Sequence, residues 1–184
     1  MRYVIETVYK GYRFRSRLEA RWAVFFETMM VKWEYEEEGF MVGGKPYLPD
    51  FYLREYDWYI EVKPDDDNLI KKGIDKARHF CDNKTQPLIF FIGVPGDERF
   101  IVLRNIDEIT ISQKDLQMFY CEDCMKISFL DGLHALRESR KYESKFHLLG
   151  CECINRENTG YDYISKSLAT ARLKRFDREN KFRY

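Results

Sequence analysis

Asp50, preceded by Pro49, and the triplet Glu61-Val62-Lys63 place two carboxylates and an amine at a spacing that suits phosphate chemistry. Side chains alternate along a β-strand, so Glu61 and Lys63 share one face and Val62 takes the other. Segments 47–53 and 58–63 both read as strands, and an even loop centred between Glu55 and Tyr56 would set Asp50 opposite Glu61. Directly opposed residues hold their Cβ atoms about 4.5–5.5 Å apart. Two carboxylates that close repel unless a proton or a cation lies between them. Mg²⁺ (or Mn²⁺ in its place) is the hard, oxygen-seeking cation that answers this need. Lys63, one step along the same face, could then orient or activate a water and stabilise charge on a phosphate, which is equipment for cutting a phosphodiester. The plainer reading of the same residues is a surface hairpin with a cross-strand salt bridge, worth little in stability.

A second constellation is made of cysteines. Cys121-Glu122-Asp123-Cys124 and Cys151-Glu152-Cys153 offer four thiolates, the number that tetrahedral structural Zn²⁺ requires. His134 and His147 lie between the pairs and could replace one thiolate, and the CxC spacing is less usual than CxxC. Chance thiols or a redox CxxC are the competing readings, although no βαβ pattern surrounds Cys121 as a thioredoxin-like motif would need. Cys81 stands alone at a helix end and reads as a buried thiol.

Elements must position these groups, and the chain supplies them in order. Residues 2–9 alternate as a strand that stops at Lys10-Gly11. Ser16 opens a helix to about Met30, with Leu18, Trp22, Phe25, Phe26 and Met29 as its apolar stripe. Short strands follow at 32–36, 47–53 and 58–63. Asp65, Asp66 and Asp67 start a helix that runs to about Cys81; they cap and charge its first turn or add negative potential near a metal. LIFFIGV (88–94) is a continuous apolar run typical of a strand buried on both faces, and 95–98 turn the chain into a further strand at 100–104. This order predicts an α/β core with a mixed sheet. Beyond a boundary near 112–118 the hydrophobic runs shorten, the cysteine pairs appear, and a final amphipathic helix spans roughly 161–177. The division is therefore 1–112 for the core and 113–184 for a zinc-binding module with a basic helix.

Pro49-Asp50, a ten-residue spacer and Glu61-Val62-Lys63, set after RFRSRLEARWAVFFE (13–27) and within YLPDFYL and YIEVK, resemble the PD-(D/E)XK nuclease superfamily, in particular small phage-encoded nucleases. The resemblance covers residues 12–110 and implies a restriction-endonuclease-like core, a mixed β-sheet flanked by helices, followed here by a zinc-ribbon or treble-clef-like module. It implies a Mg²⁺-dependent DNA endonuclease in which Asp50 and Glu61 fix the metal, Glu19 on the first helix completes the site and Lys63 assists the attacking water. Glu19 has a structural alternative, because Ser16-x-x-Glu19 is also a capping box.

Net charge is zero, with 31 basic and 31 acidic residues, which excludes a binder that works by bulk positive charge. The charge is local instead. Arg13, Arg15, Arg17 and Arg21 crowd into nine residues at the start of the first helix, Glu34 to Glu38 follow, and Arg172, Lys174 and Arg175 line the last helix, whose Leu168, Ala171 and Phe176 face inward. These arginines and lysines other than Arg13, with Lys71 and Lys72, are candidate DNA-backbone contacts; solvated helix faces explain each run nearly as well. Helix-surface placement is the expectation for His79. Met1-Arg2-Tyr3 begins no apolar leader and no run reaches the length of a bilayer span, so a cytoplasmic protein that avoids membranes is expected, in a host cell if the source is a phage. Partners that fit are DNA, a second copy of the chain and a host protein. Besides the enzyme, two other readings stay open: a nucleic-acid- or protein-binding module on the nuclease scaffold, and a zinc-dependent regulator whose first domain only dimerises.

Overall fold

The computed structural model describes residues 5–82, 84–97, 99–106, 109–113, 116–122, 124–131, 148–149 and 161–176. Two short hairpins show the local rules at work. β1 (Thr7–Tyr9) and β2 (Tyr12–Phe14) are joined by Lys10-Gly11 with φ of 49° and 83°. Two successive positive φ values make the turn whose twist matches the flanking strands. Gly43-Gly44, with φ of 54° and 74°, does the same between β4 (Phe40–Val42) and β5 (Lys45–Tyr47).

Helix α1 (Arg17–Thr28) starts where Ser16 stays extended and its hydroxyl accepts from the Glu19 N–H. α2 (Asp67–Cys81) starts likewise at Asp66, whose carboxylate accepts from the N–H groups of Asn68 and Leu69. Between them lie β3 (Glu34–Tyr35), β6 (Phe51–Leu53) and β7 (Trp58–Lys63), and after α2 come β8 (Leu88–Ile92), β9 (Arg99–Ile106) and β10 (Ile109–Gln113). These six strands form one sheet in the order β10-β9-β8-β7-β6-β3, with β7 and β8 parallel through the α2 crossover and every other pair antiparallel. The fold is α/β, a mixed sheet flanked by helices.

Alternation assigns the two faces. Phe51, Ile60, Val62, Ile89, Phe91, Phe100 and Val102 point to the α1 side, where Trp22 meets Phe91 and Phe26 meets Phe51 edge to face. Tyr59, Leu88, Phe90, Ile92, Ile101 and Leu103 point to α2 and pack on Ile70, Ile74 and Phe80. All five residues of β8 are buried, as its unbroken apolar run requires.

Three departures from the expected elements matter. Residues 47–53 are not one strand: β5 ends at Tyr47, Leu48-Pro49-Asp50 cross over, and β6 begins at Phe51. Pro49 has no N–H to give to a ladder, and the segments on its two sides pair with different partners, β4 and β7. The hairpin β4–β5 is an addition, made possible by the paired glycines. The first strand is shorter than 2–9, since Ile5 and Glu6 are outside it.

Past the sheet, β11 (Leu116–Cys121) and β12 (Lys126–Asp131) form a hairpin joined by β13 (Leu148–Leu149), and α3 (Tyr161–Leu173) closes the described chain. Leu116, Met118, Tyr120, Ile127 and Phe129 share one apolar cluster with α1, as do Ile164, Leu168 and Ala171 of α3. No helix among the described residues is long and apolar enough to cross a membrane.

Candidate active site

The β6–β7 hairpin sets the geometry. Phe51 pairs with Ile60, Tyr52 with Tyr59 and Leu53 with Trp58 around the four-residue loop Arg54–Asp57. Asp50 is the next residue along, so the same register brings it opposite Glu61, as the alternation predicts. Asp50 Oδ2 accepts from the Val62 N–H at 2.6 Å, which pins one carboxylate oxygen to β7. Its Oδ1 accepts from Arg15 Nη2 at 2.5 Å.

Glu61 and Lys63 lie on one face, with Val62 in the α1-side core. Lys63 Nζ donates to Glu61 Oε1, and Tyr47 Oη donates to Glu61 Oε2 at 2.9 Å. The Lys63 stem runs along α2 beside Gly73, where an added Cβ would stand 3.1 Å from Lys63 Cε. Val62, which follows Glu61 in the chain and donates to Asp50, is anchored in the core and so ties both carboxylates to the sheet.

Glu19 reaches this end of the sheet from the first turn of α1 and is buried. Ser16 Oγ donates to Glu19 Oε1 at 2.7 Å, and Tyr35 Oη donates to Oε2 at 2.6 Å. The capping box is thus present in altered form: the glutamate bonds to the Ser16 hydroxyl rather than to a backbone N–H. Tyr35 also accepts the Arg15 N–H at 3.0 Å, tying β3 to the helix start.

Glu36 completes the cluster. Its N–H donates to the Asp50 carbonyl at 3.0 Å, and Arg15 Nε approaches its Oε1 at 2.5 Å. The run Glu34 to Glu38 carries no local sign that Glu36 differs from its neighbours. Glu36 adopts φ of 48° just after β3, which turns it toward the site while Glu34 and Glu37 pair with Arg54 on the surface. Tyr35 and Tyr47 were equally invisible in sequence, because a tyrosine among thirteen reads first as packing.

Electrostatics follow from burial. Desolvation, then the neighbouring Glu61 charge, pushes the Asp50 carboxyl up to about 8, against the opposing pull of Lys63. Burial raises Glu36 too, with Arg15 pulling the other way. Tyr47 is held protonated, well above the usual phenol range, by burial and by Glu61, so it remains a donor. Glu19, Glu36, Asp50 and Glu61 face two cations, Arg15 and Lys63, so that with all four carboxyls ionised the excess of two negative charges equals the charge of one divalent ion. Oxygen donors, burial and this excess fit a hard divalent cation. Among the described residues, no group of three His, Cys, Asp or Glu is already drawn together as a ligand set; internal donors hold the carboxylates instead.

The other candidate residues scatter. Asp65 and Asp67 pair with Arg99 and Asp66 caps α2, so the aspartate run serves the helix start. Arg15 is drawn into the carboxylates. Arg17 and Arg21 lie half-buried on α1 near Arg172 of α3. Lys71 and Lys72 are exposed on α2, and Lys174 and Arg175 are exposed beyond the end of α3, with Lys174 over the Tyr9 ring. His79 is on the α2 surface, 3.4 Å from Asp82. Cys121 is buried at the end of β11 and Cys124 is half-buried in the following turn, whereas Cys151, Cys153, His134 and His147 lie outside the described residues. No family model, curated protein or solved structure matches the chain.

Proposed function

We propose that this protein is a metal-dependent DNA endonuclease of the PD-(D/E)XK type, acting in the cytoplasm and hydrolysing phosphodiester bonds with Mg²⁺ or Mn²⁺. The observation that carries the reading is the convergence of Asp50, Glu61 and Lys63 with Glu19 at one end of the sheet, in a cluster whose carboxylates outnumber its cations. Asp50 and Glu61 would hold the metal, with Glu19 completing the set directly or through water. When bound, the ion supplies Lewis acidity toward a phosphoryl oxygen and a lowered pKa for a coordinated water.

The chain's own groups do the rest. Val62 N–H keeps Asp50 Oδ2 in place, which makes Oδ1 the oxygen to be offered once the half-exposed Arg15 side chain turns away. Arg15 so released is a cation beside the reacting phosphate. Tyr47 steadies Glu61 through Oε2, and Lys63, freed from Oε1, donates to the attacking water or to a phosphate oxygen. Ser16 and Tyr35 hold the Glu19 carboxylate at the helix start. A structural Zn²⁺ on Cys121, Cys124, Cys151 and Cys153 belongs to the same proposal.

One observation favours a second reading, a non-catalytic nucleic-acid- or protein-binding module on this scaffold: every carboxylate of the cluster already has an internal partner. Nicking of supercoiled plasmid with Mg²⁺ or Mn²⁺ separates the two. Metal-dependent nicking that Asp50→Ala and Lys63→Ala each abolish, with circular dichroism unchanged, is the expected result. A wild type that binds DNA or protein but cuts no plasmid, linear or branched substrate would give the site to the second reading.

A further inference from the structure

Arg17 and Arg21 stand one turn apart on α1, and both are half-buried. Like charges at that spacing repel, and Arg17 also sits at the positive end of the helix dipole. The Nε atoms of both are buried without a hydrogen-bond partner among the described residues. Arg172 arrives from α3 to add a third guanidinium, close enough that it and Arg17 both hold Arg21 below its ordinary pKa, after the larger effect of desolvation. The carboxylate that answers this cluster among the described residues is Asp97, whose Oδ1 takes Arg172 Nη1 at 3.1 Å. A protein gains nothing in stability from gathering three guanidiniums, stripping two Nε–H groups of water and leaving them unpaired.

Position explains it. Gly93 N–H donates to the Lys63 carbonyl at 2.9 Å, and the Gly93 carbonyl accepts from Trp22 Nε1 at 3.0 Å. The same 93–97 turn carries Asp97 to Arg172. The arginines therefore flank the end of β7 and β8 at which Lys63 emerges.

We propose that Arg17, Arg21 and Arg172 form one clamp for a backbone phosphate of the nucleic acid, beside the cleavage centre and separate from it. The inference rests on the nuclease reading for its substrate. Guanidinium forks match the paired oxygens of a phosphodiester, and an anion among the three offsets their mutual repulsion. Two helices distant in sequence, one from the nuclease-like core and one from the chain's end, thereby grip the same strand.

The test is fluorescence anisotropy of a labelled duplex with Ca²⁺ in place of Mg²⁺, over a salt series, for wild type, Arg21→Gln and Arg172→Gln. Each substitution should weaken binding roughly tenfold, the worth of a charge-assisted hydrogen bond. Each should also flatten the slope of log affinity against log salt by about one. The melting temperature of free Arg21→Gln should hold or rise, because a repulsive partner has gone, whereas Arg172→Gln also gives up its Asp97 pair. Wild-type affinity and slope in both variants, or an Arg21→Gln melting temperature that falls with binding, would overturn the clamp. So would inorganic phosphate alone raising the wild-type melting temperature through these residues while DNA affinity ignores them. If the clamp fails while Asp50→Ala still abolishes nicking, the nuclease reading stands; a wild type that binds no DNA removes both.

Discussion

Gly73 is in the middle of α2, where alanine is intrinsically better by about 1 kcal/mol. By that measure Gly73→Ala should raise the melting temperature by about 2–4 °C in a chain of this size. The structure predicts the opposite. An added Cβ would stand 3.0 Å from Phe90 Cε1 and 3.1 Å from Lys63 Cε. Phe90 is fully buried in β8 and cannot yield, so the ring contact behaves as overpacking, costing about 1–3 kcal/mol. Against the propensity gain this leaves a net loss of about 1 kcal/mol and a melting temperature about 2–4 °C lower. The Lys63 stem can yield, and in yielding it carries Nζ away from Glu61. Displacements of about 1 Å at a reacting group cost on the order of a hundredfold in rate. Gly73→Ala should thus cut metal-dependent nicking by roughly tenfold or more while only modestly destabilising the fold. Calorimetry and a plasmid time course read both quantities on one preparation. A stabilised variant with wild-type nicking would refute the argument, because α2 would then have room that the contacts deny.

Three further perturbations follow. Asp50 titrates near 8 in the folded chain and near 4 when unfolded, so the folded state holds the extra proton between those values. Metal-free stability should accordingly fall as pH rises from about 4 to about 8, and Asp50→Asn should remove most of that slope while abolishing nicking. A flat wild-type profile from about pH 5 to 8 would sink this account of Asp50. Tyr56→Phe takes the acceptor from the Ile127 N–H, a 3.0 Å bond joining the β6–β7 loop to β12. About 1 kcal/mol, or 2–4 °C, should be lost, and an unchanged melting temperature would show that water replaces the hydroxyl at no cost. For the cysteines, mass spectrometry under native conditions should find zinc in the wild type and none in Cys121→Ser or Cys151→Ser, with lowered melting temperatures. Zinc-free wild type of undiminished stability would end the structural-zinc assignment.

What the amino-acid sequence determines by itself is local. Strand alternation put Glu61 and Lys63 on one side of β7, and the even Arg54–Asp57 loop set the register that opposes Asp50 to Glu61. Ser16 and the Asp65–Asp67 run marked helix starts by their side-chain oxygens, and the apolar run at Leu88–Ile92 announced a strand covered on both faces. Each of these is settled within a few residues, by the period of the backbone or by a side chain reaching its own neighbours. Which oxygens finally meet was not legible. Arg15 lies 35 residues from the Asp50 it binds, and Trp22 lies 71 from the Gly93 carbonyl. Glu36 was singled out from an acidic run by one left-handed residue after β3, and Tyr47 by the break at Pro49 that sends β5 to one partner and β6 to another. The two faces of the sheet, α1 on one and α2 on the other, decided how the remaining charges were spent: Arg15 among carboxylates, Arg17 and Arg21 against Arg172. Chain geometry over a few residues thus determined the motif, and long-range packing determined its company, because burial forces each polar group to find whatever partner the folded chain brings within reach.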